Sequence, residues 1–343
     1  MIYNAKYECM SREDMRALQS ERLQRTVKTC YEKSPFYKKK MDELGVRPDD
    51  IKSIDDISKL PFTTKHDLRD EYPFGLQVVP QDQVVRIHAS SGTTGKPVVD
   101  TYTKNDIDMW SEGVARVMAA GGVKAGDMVQ VSYGYGLFTG GLGAHDGAAK
   151  LGAVQLPTSA GKTEKQIMLM QDFGTTVLAC TPSYAMRLAE AIHNSDQVSI
   201  DNMKLKCGFF GAEPWTEGMR KELEEKLHIK AYDIYGLTEM CGPGVGFECQ
   251  EQNGMHFWED FYIVEIVDPE TLEPVPDGEI GELVLTTLNR EAMPLLRYRT
   301  RDLTRVLGRT CPCGRNHVRL DRMRGRSDDM IVLRGVNIFP IQI

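Results

Sequence analysis

Ser90-Ser91-Gly92-Thr93-Thr94-Gly95-Lys96-Pro97 separates two short β-prone runs and concentrates hydroxyls, glycines and one lysine in a single loop. Gly92 and Gly95 admit backbone conformations that a Cβ obstructs, so successive N–H groups can turn inward while the hydroxyls and Lys96 add donors and charge. The pattern predicts a cradle for polyphosphate, and hence a nucleoside triphosphate as ligand. It is not a Walker A loop, which places four residues between its glycines and then opens a helix with Lys-Ser/Thr. Here only Thr93 and Thr94 separate the glycines, and Pro97 biases Lys96 away from helical geometry. Val98, Val99, Tyr102 and Thr103 read as a strand, so the loop bridges two strands. Taken alone, a Ser/Thr/Gly cluster is also what a solvated turn looks like.

Outward from that loop, from Val84 onward, short apolar runs alternate with longer amphipathic stretches. Met128 to Tyr133, Val154 to Leu156, Val177 to Cys180, Leu205 to Phe210 and Ala231 to Ile234 read as strands. Asn105 to Ala120, Thr163 to Phe173, Pro182 to His193 and Pro214 to Leu227 have helical length and apolar spacing. The alternation predicts an α/β fold with a mainly parallel sheet flanked by helices, whose ligands gather beyond the carboxyl ends of the strands. Residues 1–80 read as a helical subdomain, in which Ser11 can cap a first helix and Ser34-Pro35 can open a second. Residues 81–260 form the α/β core. Residues 261–325 read as a smaller β-rich subdomain, with strands Tyr262 to Val267, Glu282 to Thr287 and Leu303 to Val306 between turns such as Pro276-Asp277-Gly278. Residues 326–343 read as a hinge and the start of a further, truncated domain, because Ile338-Phe339-Pro340-Ile341-Gln342-Ile343 ends on apolar residues without a partner.

A chain of 343 residues, 41% hydrophobic and 27% charged, suits a soluble globular protein of about two domains. Its net charge of −7 gives no electrostatic reason to expect a nucleic-acid partner. There is no basic-then-apolar leader and no apolar run long enough to span a bilayer, so a cytoplasmic protein with no membrane partner is expected. Eight cysteines in that setting point to reduced thiols or metal ligands. Cys311-Pro312-Cys313 puts two thiols on a tight turn, and Cys249 and His256 stand seven residues apart upstream. Together they offer a Cys3His set that zinc accepts tetrahedrally, against the alternative of buried thiols beside a core histidine. His66, His88, His145, His193, His228 and His317 are scattered and receive no role, and no Gly-x-Ser-x-Gly elbow supports a serine hydrolase.

Three further segments carry candidate chemistry. Tyr235-Gly236-Leu237-Thr238-Glu239 follows a strand, where a tyrosine can flank a base, Thr238 can bond a phosphate and Glu239 can hold magnesium; a glycine turn with a solvated glutamate reads equally well locally. Gly211-Ala212-Glu213-Pro214 closes another strand and leaves room for a flat ring, or else starts a helix. Tyr298-Arg299-Thr300-Arg301-Asp302 precedes a strand and offers a carboxylate suited to two ribose hydroxyls, or to a surface ion pair. Arg324-Gly325-Arg326-Ser327-Asp328-Asp329 has the charge of an exposed turn.

These segments together resemble the adenylate-forming superfamily of acyl-CoA synthetases, and most closely the phenylacetate-CoA ligase family. The aryl-ligase likeness lies in Leu60-Pro61-Phe62-Thr63-Thr64-Lys65, Tyr133-Gly134-Tyr135-Gly136-Leu137-Phe138, Gly211-Ala212-Glu213-Pro214-Trp215 and Arg334-Gly335-Val336-Asn337-Ile338-Phe339-Pro340. The resemblance implies a large adenylate-forming N-terminal domain and a two-step reaction. A carboxylate attacks the α-phosphorus of ATP, pyrophosphate leaves, and coenzyme A then displaces AMP. Two anions must meet, so Mg2+ and Lys96 or neighbouring donors have to neutralise charge. By the match Thr94 and Glu239 would bind Mg2+, and Lys96, Thr94 and Glu239 would form the catalytic set. Ser90, Ser91, Gly92, Thr93, Thr94, Gly95, Lys96, Gly211, Ala212, Glu213, Asp233, Tyr235, Gly236, Thr238, Asp302 and Arg326 would contact the nucleotide. Within that set Tyr235 and Ala212 would flank adenine, and Asp302 and Arg326 would hold ribose. Asp328 would be the hinge.

The family's small C-terminal domain, with its lysine, has no counterpart before Ile343, so this stretch is expected to bind ATP but form product poorly. Tyr135, Phe138 and Phe210, with Gly211, are expected to wall a flat slot for a small aromatic carboxylic acid, phenylacetate by resemblance. The resemblance also implies a homodimer. An adenylation enzyme loading another acceptor, and a non-catalytic nucleotide-binding module, are the alternatives.

Overall fold

A computed structural model describes residues 1–90, 96–328, 331–333 and 336–338. Ser91, Gly92, Thr93, Thr94 and Gly95 of the phosphate loop therefore lie outside the described residues. The chain divides into two compact units, one comprising Met1–Asn4 and Asp108–Met255, the other Ala5–Ile107 and His256–Ile343. The N-terminal helices thus share a unit with the later strands, a grouping different from the expected four segments.

The unit that begins at Ala5 opens with helices α1 (Ala5–Glu8), α2 (Arg12–Lys33), α3 (Pro35–Glu43) and α4 (Lys65–Asp70). The Ser11 side chain accepts from the Asp14 amide and starts α2; Ser34 caps α3 in the same way, with Pro35 in its first turn. The Tyr37 hydroxyl, fully buried, accepts from the Leu296 amide at 3.0 Å and meets the Thr63 hydroxyl at 2.9 Å, which ties this helical segment to the strands of its own unit. Strands β1 (Arg86–Ala89) and β2 (Val99–Tyr102) flank the expected phosphate loop in sequence, as a loop bridging two strands requires, and pair antiparallel, with Ala89 opposite Val99. Buried Arg290 reaches the Asp100 carboxylate at 2.7 and 3.1 Å and the Thr101 carbonyl at 2.6 Å, so the base of that hairpin is fixed from the side. Burial lifts the Asp100 carboxyl to about 6 against the opposing pull of Arg290.

After α5 (Lys104–Ala120) come β3 (Met128–Val131), α6 (Thr139–Leu151), β4 (Val154–Leu156), α7 (Thr163–Asp172), β5 (Val177–Cys180), α8 (Pro182–His193), β6 (Cys207–Gly211), α9 (Glu217–Leu227), β7 (Lys230–Tyr235) and β8 (Gly246–Glu248). The strands hydrogen-bond in the order β4-β3-β5-β6-β7-β8. All these pairings are parallel except that of β8, which runs antiparallel to β7. Leu178, Cys180, Phe210, Leu188, Leu223 and Trp215 belong to one buried cluster on the α8 and α9 side. Helix α9 starts at Glu217 and not at Pro214, because the Thr216 side chain accepts from the Met219 amide and supplies the cap. The glycine-rich α6 packs tightly: a Cβ on Gly143 would stand 2.4 Å from the Trp110 ring and 2.7 Å from Pro243 Cδ.

The remaining strands are β9 (Met255–Phe257), β10 (Tyr262–Val267), β11 (Gly281–Thr287), β12 (Tyr298–Thr304), β13 (Val306–Gly308) and β14 (Arg319–Leu320). Strands β10, β11 and β12 form an antiparallel sheet, and β13, β14 and β9 are neighbours in that order. Two short pieces, Ile331–Leu333 and Val336–Ile338, pair antiparallel at the end of the described chain. Tyr298 to Asp302 is itself strand, so β12 begins five residues before the Leu303 at which the strand was expected to start. No helix among the described residues is long and apolar enough to cross a membrane.

Candidate functional site

The carboxyl ends of β6 and β7 carry the first group of candidate residues. Gly211 closes β6, and a Cβ there would stand 2.1 Å from the Ile234 carbonyl oxygen, so the glycine is demanded by strand packing. Ala212 follows with φ of 71°, a left-handed conformation seldom adopted by residues with a Cβ, and such strain gathers at sites where a backbone must be presented in a fixed way. Glu213 accepts from the Ser183 amide at 2.7 Å and so caps α8. That is a structural occupation for a carboxylate that the family likeness assigns to the nucleotide.

At the end of β7, Tyr235 is half-buried, and Thr238 and Glu239 are 6% and 5% exposed in a short 3-10 turn. Glu239 is thus not the solvated carboxylate that a plain glycine turn would give. Asp233 lies two residues before Tyr235, on the same face of the strand by the two-residue period. Burial first, and then the Glu248 carboxylate, push its carboxyl up to about 7, against the Trp215 indole and the Arg220 guanidinium.

In the other unit, β12 presents Asp302. Between Val284–Arg299 and Glu282–Leu303 the register with β11 shifts, which places additional β12 residues opposite β11, and Arg301 adopts φ of 69°. An irregularity of this kind re-aims side chains. Here it lets Arg299 donate twice to buried Glu282, at 2.9 and 2.8 Å, while Arg301 stands 3.5 Å from the same carboxylate. The following segment runs back along β12: the Leu303 amide donates to the Gly325 carbonyl at 2.9 Å, the Arg324 amide to the Leu303 carbonyl at 2.8 Å, and the Ser327 amide to the Arg301 carbonyl at 2.7 Å. Arg326 stands 3.4 Å from the Asp302 carboxylate and donates to both oxygens of Asp328 at 2.9 and 3.0 Å. Burial would raise the Asp328 carboxyl, but Arg326 outweighs it and holds it below the usual range. The structure therefore joins the two ribose candidates and the hinge candidate in one cluster. Lys96 is exposed, with its ammonium 5.3 Å from the centre of the Tyr72 ring.

The residues expected to wall an aromatic slot differ in their surroundings. Phe210 is fully buried in the core cluster and meets Trp215 edge-on at 5.8 Å, so its ring packs into the interior. Tyr135 and Phe138 are accessible: Tyr135 is half-buried with its hydroxyl 3.4 Å from His145 Nδ1, and Phe138 is 44% exposed at the start of α6.

Among the possible metal ligands, His256, Cys311 and Cys313 share one unit, and their donor atoms lie within 4.8 Å of one another. Cys313 Sγ stands 3.5 Å from His256 Nε2. Cys249 is buried just after β8, and none of the eight cysteines, all of them described residues, is in a disulfide. The turn is firmly placed, since buried Arg315 pairs with Glu8 of α1 at 2.7 Å and the Asn316 amide donates to the Glu8 carbonyl at 3.1 Å.

Sequence reading passed over Arg220 and Glu248, a buried pair bonded at 2.6 and 2.7 Å. One signal was present. Arg220 falls on the stripe of α9 that also carries Leu223 and Leu227, and a cation on an apolar stripe requires a buried anion to meet it.

A family model described as AMP-binding enzyme matches residues 7–289. The phenylacetate-coenzyme A ligase of Thermus thermophilus is 53% identical over 344 residues, taking in 100% of this chain and 77% of that protein. The phenylacetate-coenzyme A ligase of Aromatoleum evansii is 54% identical over 339 residues, covering 98% of this chain and 76% of its own length. A crystal structure of 2-hydroxyisobutyryl-CoA ligase in the postadenylation state superposes with a TM-score of 0.93 at 31% identity, covering 99% of this chain and 74% of that one. On fold, ordered motifs and identity together, the chain belongs to the phenylacetate-coenzyme A ligase family of AMP-binding enzymes.

Proposed function

We propose that the protein is an AMP-forming acid-thiol ligase that converts phenylacetate, with ATP, to its adenylate and then to the coenzyme A thioester. The observation that carries this reading is more than half identity to phenylacetate-coenzyme A ligases along nearly the whole chain. The geometry supports it at the points where chemistry is needed. Tyr235 and the strained Ala212 would flank adenine, and the Asp233 carboxyl would accept from its exocyclic amine. Asp302 and Arg326 would hold the ribose, and Ser90, Lys96, Gly236 and Thr238 would line the phosphates, with Ser91 to Gly95 contributing from the family likeness. Glu239, a hard oxygen donor on a buried turn, suits Mg2+, with Thr94 as the second protein ligand. Mg2+ would supply charge neutralisation at the triphosphate, while Lys96 would add a cation near the leaving pyrophosphate. Tyr135 and Phe138 would wall the acid site, and Asp328 would serve as the hinge.

The Cys3His set suits a structural zinc, with Cys249 as fourth ligand to His256, Cys311 and Cys313. A homodimer is the assembly implied by the family likeness.

A panel of carboxylic acids, assayed for acid-dependent pyrophosphate exchange with ATP and Mg2+, tests the reaction. Phenylacetate should exceed acetate and butyrate by at least about tenfold in kcat/KM, the discrimination expected when an apolar site gains or loses a ring-sized contact. Preference for aliphatic acids would remove the aromatic site. Exchange promoted by no acid at all, in this chain and in protein extended to the length of its relatives, would favour a nucleotide-binding module.

A further inference from the structure

Asp233 does not stand alone at the end of β7. Its amide donates to Glu248 Oε2 at 2.7 Å, and that same carboxylate accepts twice from Arg220 Nη2, at 2.6 and 2.7 Å. Arg220 and Glu248 are 2% and 1% exposed. Arg220 Nη1 donates to the Ala231 carbonyl at 2.6 Å, Nε donates to Glu217 at 3.1 Å, and the guanidinium lies 5.2 Å from the centre of the Trp215 ring. Trp215 in turn acts on the Asp233 carboxyl. The contacts run from α9 through β8 to β7 and return through Trp215, three residues after the strained Ala212.

A buried ion pair need not make this arrangement, because replacing such a pair by apolar residues is often neutral or stabilising. What distinguishes it is the use of one Glu248 oxygen on the main chain of Asp233. The bond fixes the peptide from which the Asp233 side chain leaves the strand, and it brings a negative charge close to that side chain. The charged or titratable groups facing Asp233 are Glu248 on β8, Arg220 on α9 and the Tyr133 phenol beyond β3.

We infer that Arg220 and Glu248 are positioning residues for base recognition: they fix the Asp233 backbone so that its carboxyl meets the exocyclic amine of adenine. The inference deepens the proposed function and rests on its placement of adenine beside Tyr235. A base with a carbonyl in place of that amine, as in ITP, sets oxygen against oxygen when Asp233 is ionised. Preference for ATP over ITP therefore reports on the placement of Asp233.

Calorimetric titration of the whole chain with ATP and with ITP, both with Mg2+, at pH 6 and pH 8, tests this. The parent protein should bind ATP at least tenfold more tightly than ITP at pH 8, and less selectively at pH 6. Glu248→Gln turns a donor toward either the Asp233 amide or Arg220. It should weaken ATP binding, leave ITP nearly unchanged and reduce the preference about tenfold. Arg220→Lys, which keeps the charge but loses the fork that makes two bonds from one guanidinium, should reduce it to a similar degree and stands in if Glu248→Gln does not fold. Preference within twofold of the parent in a folded Glu248→Gln or Arg220→Lys protein, while Asp233→Asn abolishes it, would reduce the pair to a structural role. Loss of no preference in Asp233→Asn, or none in the parent, would instead remove adenine from this position and with it the reading on which the inference stands.

Discussion

Glu239 is the carboxylate proposed to hold Mg2+. It is 5% exposed on a 3-10 turn that begins with Thr238, at the end of a parallel strand. A buried carboxylate has lost most of its water, so an ion that replaces the water is held by oxygen donors already in place. Glu239→Gln keeps the volume and removes the charge. Pyrophosphate exchange should fall about a hundredfold at limiting Mg2+, the size of effect seen when one charge-stabilising group is lost. An Mg2+ titration in which the variant saturates at the parent's concentration would show that Glu239 does not touch the metal. Its neighbourhood in sequence was readable, since Tyr-Gly-x-Thr-Glu after a strand suggests a ligand-facing turn. Its burial was not, because whether a turn faces solvent depends on chain distant in sequence. Arg220 and Glu248 eluded the reading for the same reason: 28 residues separate them, and only folding brings the fork and the carboxylate together.

Helix α6 belongs to a different scale. Thr139 to Leu151 has four glycines, a composition that costs helix stability by propensity alone, yet it forms a helix because packing exceeds that cost. Gly143 admits the Trp110 ring and Pro243 at distances that a methyl group would occupy, and the Trp110 N–H donates to the Pro243 carbonyl at 3.0 Å. Gly143→Ala should therefore destabilise the protein by about 2 kcal/mol through overpacking, read as a lowered urea midpoint. Gly134→Ala, with nothing within 4 Å of the added carbon, should shift the midpoint little. Equal effects at the two positions would refute close packing as the reason for the glycine. Elements with strong periodicity were legible: Pro182–His193, Val154–Leu156 and Val177–Cys180 run as the sequence predicts. Boundaries moved where a side chain intervened, as when Thr216 and not Pro214 opened α9. The irregular register of β12 left no period to follow, and the strand was therefore expected to start only at Leu303.

For the molecule as a whole, the Cys3His proposal gives the clearest test. The turn Cys311-Pro312-Cys313 lies against His256, and the adjoining Arg315 is locked to Glu8 near the start of the chain, although more than three hundred residues separate the two. Protein purified without chelator should contain about one equivalent of zinc, and Cys313→Ser should lower both zinc content and unfolding temperature. Less than half an equivalent in the parent would favour plain buried thiols. The motif was legible because thiol pairs are rare in sequence; the grouping of the N-terminal helices with β10 to β12 in one unit was not, because the strands of the parallel sheet lie between them along the chain.

Glu282 draws these scales together. One carboxylate, without solvent exposure, accepts from Arg299 on β12, stands by Arg301 and receives the Ser327 hydroxyl at 3.1 Å. The strand that offers Asp302 and the segment that carries Arg326 are thereby bolted at a single pin. Were that pin drawn, the proposed anchor for the sugar and the proposed pivot beyond it would come loose in the same event.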